Sequence, residues 1–394
     1  MSVIDAYVAH QWSTITELTP YMNSGWKELI LRPGTDLGPN QMRGRALHRN
    51  PLGDFAPDTY PTPLRFGGTE EAQVVSDYGH GAVDYTENSA PGSDPALLIR
   101  QLLRTGKRSR VVLGYSEVGM LATAFANVTG AEILTRAVND WTADRWYTAD
   151  PRLYGTILVT MANPQGAAAE IRRLGPNSRF VGVALGTNGL AMPFGSAVYH
   201  PVYEAAAEFD LPIVIQVGSD SAPSLMGPPI GGGIASTYSE THISAADPLQ
   251  AHVGSLMYEG VFELFPNLRV LLVGGGLSWF PSFTWRLEYW YNHMRGSGEI
   301  PLMKRPPSEY IRRHVRLAAS NVEPSRDGRL ATQLRTVSWL GEIVMYGSGY
   351  PALGWEEADA VSCRLPAEWG EAVTRANADS FFRFPATGGS EETQ

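Results

Sequence analysis

One cysteine, Cys363, is all that the 394 residues contain, so no disulfide can form within the chain. It has no histidine close by in sequence to activate it, and it reads as a structural residue. No apolar run approaches the roughly 18 residues that a bilayer span requires. The start, Met1-Ser2-Val3-Ile4-Asp5, has neither the basic residues nor the apolar stretch of a signal peptide, which makes the cytoplasm the expected compartment. Basic charge is in short supply: 31 Lys and Arg face 40 Asp and Glu, for a net charge of −9, and the densest basic cluster is Lys107-Arg108-Ser109-Arg110. Nucleic acid and anionic membrane surfaces are poor partners for such a chain. Nor is there a phosphate-binding loop, because Gly231-Gly232-Gly233 and Gly274-Gly275-Gly276 lack the required spacing. No cofactor is expected.

What is present is a large apolar supply, 43% of the residues, including ten Trp, 17 Tyr and 13 Phe. That suffices for one large core and for aromatic-lined cavities or interfaces beside it. Short β-branched runs alternate with longer helical patterns along the chain. Strands are predicted near 3–8, 110–114, 155–160, 180–184, 212–217, 268–273, 315–319 and 343–346, and eight strands alternating with helices predict an α/β fold, a (β/α)8 TIM barrel. Helices are predicted over 165–174, 202–209, 249–265, 279–294, 325–340 and 367–381. The first of them is bounded by Asn163-Pro164 in front and Gly175-Pro176 behind, with Ala167, Ile171 and Leu174 on one face.

Nothing in the composition breaks this alternation, so residues 1–386 are expected to form one barrel. Two stretches interrupt it. Residues 34–93 are rich in Gly, Pro, Asp and Arg, and residues 218–246 contain Gly227-Pro228-Pro229 and the Gly231–233 run. Long irregular insertions leaving the C-terminal ends of barrel strands are expected to be lids over a substrate. The polar tail 387–394 is expected to be disordered.

Several motifs in order carry a likeness: Ala137-Val138-Asn139-Asp140-Trp141, Asp150-Pro151-Arg152-Leu153-Tyr154-Gly155 and Tyr199-His200-Pro201-Val202-Tyr203-Glu204-Ala205-Ala206. Further on come Glu259-Gly260-Val261-Phe262-Glu263-Leu264-Phe265-Pro266, Lys304-Arg305-Pro306-Pro307-Ser308-Glu309-Tyr310 and Asn377-Ala378. With the opening Ile4-Asp5-Ala6-Tyr7-Val8-Ala9-His10, the chain resembles the amidohydrolase family, in particular members related to aminocarboxymuconate-semialdehyde decarboxylase. The resemblance implies a barrel of the metal-dependent hydrolase type. In that family the ends of strands one, five, six and eight supply His, Glu and Asp ligands to zinc or a similar ion, which activates water or polarises the substrate.

Here the matching positions read Tyr7, Ala9, Gln216, Gly274, Gly349 and Ala352. Such groups make no tight imidazole and carboxylate site, so no metal ligand is assigned. His10 does not rescue the set, because neighbouring strand residues face opposite ways and partners on strands five, six and eight would still be missing. Most replacements are smaller than what they replace, which predicts a socket that is emptied, or one occupied by a bulky ligand, an aromatic side chain such as Trp279 or Tyr350, or ordered water.

The groups then expected to carry chemistry are Tyr7, Gln216, His242 and His252, through proton transfer and hydrogen bonds to a developing oxyanion. His10, Tyr115, Asn163, Glu240, Gly274, Trp279, Ser348, Gly349 and Tyr350 are expected to line the substrate. The leading expectation is a metal-independent enzyme of specialised metabolism, a cyclase, dehydratase or C–C lyase on an aromatic or polyketide-like small molecule. The alternative is a non-catalytic subunit that pairs with a metal-containing homologue, with the aromatic helix at 279–291 as interface; a binding protein without turnover is a third. A homo- or hetero-oligomer is expected in either of the first two cases.

Overall fold

The computed structural model describes residues 2–12, 15–31, 92–116, 119–120, 122–124, 127–217, 243–323, 328–351 and 355–385. The predicted lids over 34–93 and 218–246 and the tail 387–394 fall largely or wholly outside these residues. The strands are β1 (Val3–His10), β2 (Arg108–Tyr115), β3 (Leu153–Leu158), β4 (Phe180–Gly186), β5 (Ile213–Gln216), β6 (Val270–Val273), β7 (Val315–Ala319) and β8 (Val344–Tyr346). They lie in sequence order in one sheet, and each pairs parallel with the next. All eight predicted strands are present, and the architecture is a (β/α)8 barrel.

The seam between the first and last strands closes just beyond the end of β8. There the Ala9 N–H donates to the Tyr350 carbonyl at 2.6 Å and the Gly349 N–H donates to the Tyr7 carbonyl at 3.1 Å. A neighbouring backbone N–H, that of Ser348, donates to Asp5 Oδ1 at 2.8 Å.

Alternation along the strands splits the apolar residues into two sets. Ile4, Ala6, Val112, Tyr154, Val181, Val214, Leu271, Val273, Ala318 and Met345 fill the barrel interior. Phe381 and Phe382 join them from a short C-terminal helix, Asn377–Phe382, which Asn377 fastens by donating to the Gly341 and Val344 carbonyls. The outward set, with Val3, Val8, Val111, Leu113, Ile213, Ile215, Leu317 and Val344 among it, packs against the helices.

Those helices include α1 (Val128–Arg145), α2 (Pro164–Leu174), α3 (His200–Glu208), α4 (Ala246–Tyr258), α5 (Phe280–Met294) and α6 (Pro307–His314). The predicted helix 249–265 is two pieces, because Gly260 takes a left-handed φ of +74° and ends the run. The predicted 325–340 helix reduces to Arg329–Leu334 among the described residues, and the C-terminal 367–381 is a succession of short turns ending in Asn377–Phe382. Helix α1, absent from the sequence expectation, is 18 residues long, is capped by Asn127 and buries Ala131, Leu134, Val138 and Trp141. Cys363 is exposed, which corrects its reading as a structural residue. Among the described residues no helix is long and apolar enough to cross a membrane.

One charged network sits in the outer layer where β1, β2 and β8 meet. Asp5 is fully buried, and its Oδ2 accepts from Arg108 Nε at 3.0 Å; Arg108, itself 3% exposed, also donates to the Leu102 carbonyl, the Tyr346 hydroxyl and Glu357. Burial pushes the Asp5 carboxyl up, against the pull of Arg108. Burial would lower the Arg108 guanidinium too, but Asp5, Tyr346 and Glu357 more than offset it and the group stays charged. Replacing Arg108 with leucine strands a buried carboxyl, so Arg108→Leu is expected to destabilise the protein by about 3–5 kcal/mol in chemical denaturation. An unchanged unfolding midpoint would show that the pair does not anchor the seam.

Candidate functional site

The mouth of the barrel is shaped by an irregularity in β1. Asp5 pairs with Val111 and Val8 with Leu113, so Ala6 and Tyr7 together stand opposite Val112. This bulge shifts the alternation by one residue. Asp5, Val8 and His10 then face the helices, while Ala6 and Tyr7 both pack with the interior set.

Tyr7 lies against two glycines, its ring over Gly114 in β2 and its Cβ beside Gly347 just after β8. A Cβ on Gly114 would come within 2.5 Å of Tyr7 Cε2, and one on Gly347 within 3.1 Å of Tyr7 Cβ. From the ring, the hydroxyl donates to the Tyr115 carbonyl at 3.1 Å. Gln216, at the end of β5 and 2% exposed, reaches the same peptide: its Nε2 donates to the Tyr115 carbonyl and its Oε1 accepts from the Tyr115 N–H at 3.3 Å. Three strands therefore meet at one residue's backbone, and the expected empty socket is occupied by a ring and an amide. Gln216 commits its carbonyl oxygen and one of its two amide N–H donors there, which gives it a structural role at the mouth.

The two described histidine candidates are locked as neutral structural groups. His10 stacks on Trp141 (5.7 Å between centroids) and meets Trp146 edge-on. Its Nδ1 donates to the Gly114 carbonyl, leaving Nε2 to accept from Thr142 Oγ1 at 2.9 Å. It therefore packs under α1 and does not line the mouth. His252, in α4, stacks on Phe194 at 3.8 Å; its Nδ1 accepts from the Phe194 N–H at 3.2 Å and its Nε2 donates to the Thr187 carbonyl at 2.9 Å. Burial lowers both imidazoles to about 4. With both nitrogens committed, His252 has no free lone pair with which to take a substrate proton, a correction to its catalytic assignment.

Other expected lining groups are also accounted for by structural roles. The Tyr115 hydroxyl points to the helix side, donating to the Thr156 carbonyl at 2.6 Å, so only its backbone reaches the mouth. Asn163 caps α2 through the Gly166 N–H and holds Glu132. Trp279, half-buried, donates from Nε1 to the Gly276 carbonyl at 3.2 Å. Ser348 accepts from the Tyr350 N–H, and Tyr350 is buried with its hydroxyl on Gln101 and its ring edge-on to Trp355. His242 and Glu240 lie outside the described residues.

Two mouth residues carried no sequence signal of their own. Glu323, beyond β7, accepts from the Leu277 and Ser278 N–H groups and from the Ser278 hydroxyl at 2.7 Å, fixing the loop after β6. Ser320 is 2% exposed, its hydroxyl has no hydrogen-bond partner among the described residues, and its Cβ lies 3.5 Å from where a Cβ on Gly349 would stand. It is the kind of group that can accept or donate to a bound molecule.

The donor set formed by the described residues does not fit a divalent ion. Among the described residues no group of three or more His, Cys, Asp or Glu side chains could hold one. Gly274 and Gly349 have φ of +91° and +71°, a left-handed backbone that a ligating L side chain would strain to adopt.

Comparison with known proteins locates this barrel. A family model described as Amidohydrolase matches residues 90–384. A gamma-resorcylate decarboxylase from Polaromonas sp. (strain JS666 / ATCC BAA-500) is 24% identical over 277 residues, 63% of this chain and 78% of that protein. Among solved structures, 5-carboxyvanillate decarboxylase LigW from Sphingomonas paucimobilis superposes with a TM-score of 0.61 at 20% identity, covering 98% of this chain and 99% of that one. The 5-carboxyvanillate decarboxylase from Novosphingobium aromaticivorans DSM 12444, complexed with manganese and 4-hydroxy-3-methoxy-5-nitrobenzoic acid, gives 0.57 at 17% identity, covering 97% of this chain and 96% of that one.

The locked histidines set a pH dependence. Each has a folded pKa of about 4 against an ordinary 6.5 when the chain is unfolded, so between those values the unfolded chain binds more protons. Stability therefore rises with pH across this window and is constant above it, a loss of about 3 kcal/mol per histidine on reaching pH 4. Urea unfolding from pH 7 to pH 4 measures it, and His252→Asn is expected to flatten the slope; a wild-type curve level across that range would overturn the assignment.

Proposed function

The chain belongs to the amidohydrolase family, and from that membership we propose that it is a C–C lyase acting on a small aromatic acid without a divalent ion at its strand ends. Its relatives include amidohydrolase-fold decarboxylases named for aromatic acids, one of them determined with manganese. The observation that carries the metal-free part is the occupation of the mouth by Tyr7 and Gln216, both hydrogen-bonded to the Tyr115 backbone.

In this reading the ring carbon that bears the carboxylate takes a proton from an acid on the protein. The bond to the carboxylate then breaks, carbon dioxide leaves, and the electron pair of that bond restores the aromatic ring. The step needs positioning and one group that titrates near neutral pH. His10 and His252 are committed elsewhere, which leaves His242, with Glu240 beside it, as the acid of this proposal. The Ser320 hydroxyl is placed to hold a polar substituent of the substrate.

A second reading has an observation of its own. On α5, Trp285, Tyr289 and Trp290 are each more than half exposed along one side. Aromatic side chains concentrate at protein interfaces, and this face suits pairing with a metal-bearing homologue, the chain then serving as a non-catalytic subunit.

Protein stripped with EDTA is expected to release carbon dioxide from 2,6-dihydroxybenzoate or 5-carboxyvanillate, and His242→Ala to lower kcat by about 100-fold or more with the fold intact. Inertness toward both acids, with and without added manganese, together with co-purification of a homologue from the native source, would replace the first reading by the second.

A further inference from the structure

We propose that the Tyr7 phenol, the Gln216 amide and the Tyr115 backbone together form a brace that does the structural work of an ion at the barrel mouth and closes that position to divalent cations. The inference deepens the metal-free part of the function proposed above and rests on that part, not on turnover.

An ion at a barrel mouth cross-links side chains from strands far apart in sequence. Here neutral hydrogen bonds do so: β1 supplies Tyr7, β5 supplies Gln216, and both end on the backbone of the residue after Gly114 in β2. Residues 7 and 115 are 108 positions apart, and 115 and 216 are 101 apart. Gln216 presents its amide to the Tyr115 backbone as a neighbouring strand would, donor to carbonyl and acceptor to N–H, though β5 is not a neighbour of β2 in the sheet.

Three features exclude an ion from the same place. A carbonyl oxygen has two lone pairs, and that of Tyr115 already accepts from Tyr7 and from Gln216, while Gln216 Oε1 is held by the Tyr115 N–H. The Tyr7 ring occupies the space over Gly114, where even one added carbon would collide with it, and a carbon added at Gly347 would press on the Tyr7 Cβ. The positions matching the remaining ligands, Gly274 and Gly349, have no side chain and run through left-handed backbone. Admitting a cation would require breaking these hydrogen bonds and would still leave it, among the described residues, without a cluster of anionic partners.

The test uses the full-length protein and needs no substrate. After dialysis against EDTA, thermal unfolding is followed with and without a large excess of MnCl2, and manganese content is measured after gel filtration. The brace predicts the same Tm in both conditions and no stoichiometric manganese; a Tm that climbs with manganese concentration, as binding to the folded state requires, and one retained equivalent would overturn it. In a second arm Gln216→Leu is expected to lower Tm by the same amount with or without manganese, and a variant as stable as wild type would overturn the brace. Should that variant fail to fold, the wild-type titration decides alone. A protein indifferent to manganese that also leaves aromatic acids untouched sinks only the enzymatic reading.

Discussion

The backbone of Tyr115 is where three strands of this barrel meet. It accepts from Tyr7 and Gln216 and donates to Gln216. Much of the mouth is arranged to let this happen. Gly114 and Gly347 carry no side chain because Tyr7 lies over them. The bulge at Ala6 and Tyr7 exists at the point where β1 must turn an aromatic side chain inward.

That bulge also explains why β1 can serve both layers. Ahead of it, Asp5 faces outward to Arg108 and ties β1 to β2 and to the loop after β8; behind it, His10 faces outward into the Trp141 and Trp146 rings of the α1 region. Between them Tyr7 faces the axis. A strand in strict alternation would put residues 5, 7 and 9 on one face, and the buried ion pair and the ring would then compete for the same side of the sheet.

Chemically, the described polar groups of the mouth are largely committed to the fold. Its carboxylate Glu323 is spent on the loop after β6, His252 is fixed in a single tautomer, and its strand-end glycines carry no side chain. What remains, among the described residues, includes two buried hydroxyls beyond strand ends without a hydrogen-bond partner, at Thr187 after β4 and Ser320 after β7. A barrel of this kind separates two duties that an ion combines, since holding strand ends together can be done by hydrogen bonds, whereas polarising a substrate has to come from groups elsewhere. In the proposed function that second duty falls to Glu240 and His242.

The barrel was legible because its signal is periodic: eight β-branched runs, each followed by helical spacing or by Gly and Pro punctuation, and motifs such as Asp150-Pro151-Arg152 in family order. The residue types at 7, 216, 274 and 349 could be read directly in the same way. Direction and partnership were not. Nothing local distinguishes a histidine that meets substrate from His252, whose two nitrogens are satisfied by the backbone of residues 58 and 65 positions away. The expected void was filled because Tyr7 was counted as a lost ligand when its ring is the filling, and only the register of β1 against β2 aims it there. Sequence alone determined the architecture, since it depends on residue type and spacing. The tertiary structure decided what occupies the centre, because that depends on which buried donors and acceptors, a hundred residues apart, are left facing one another.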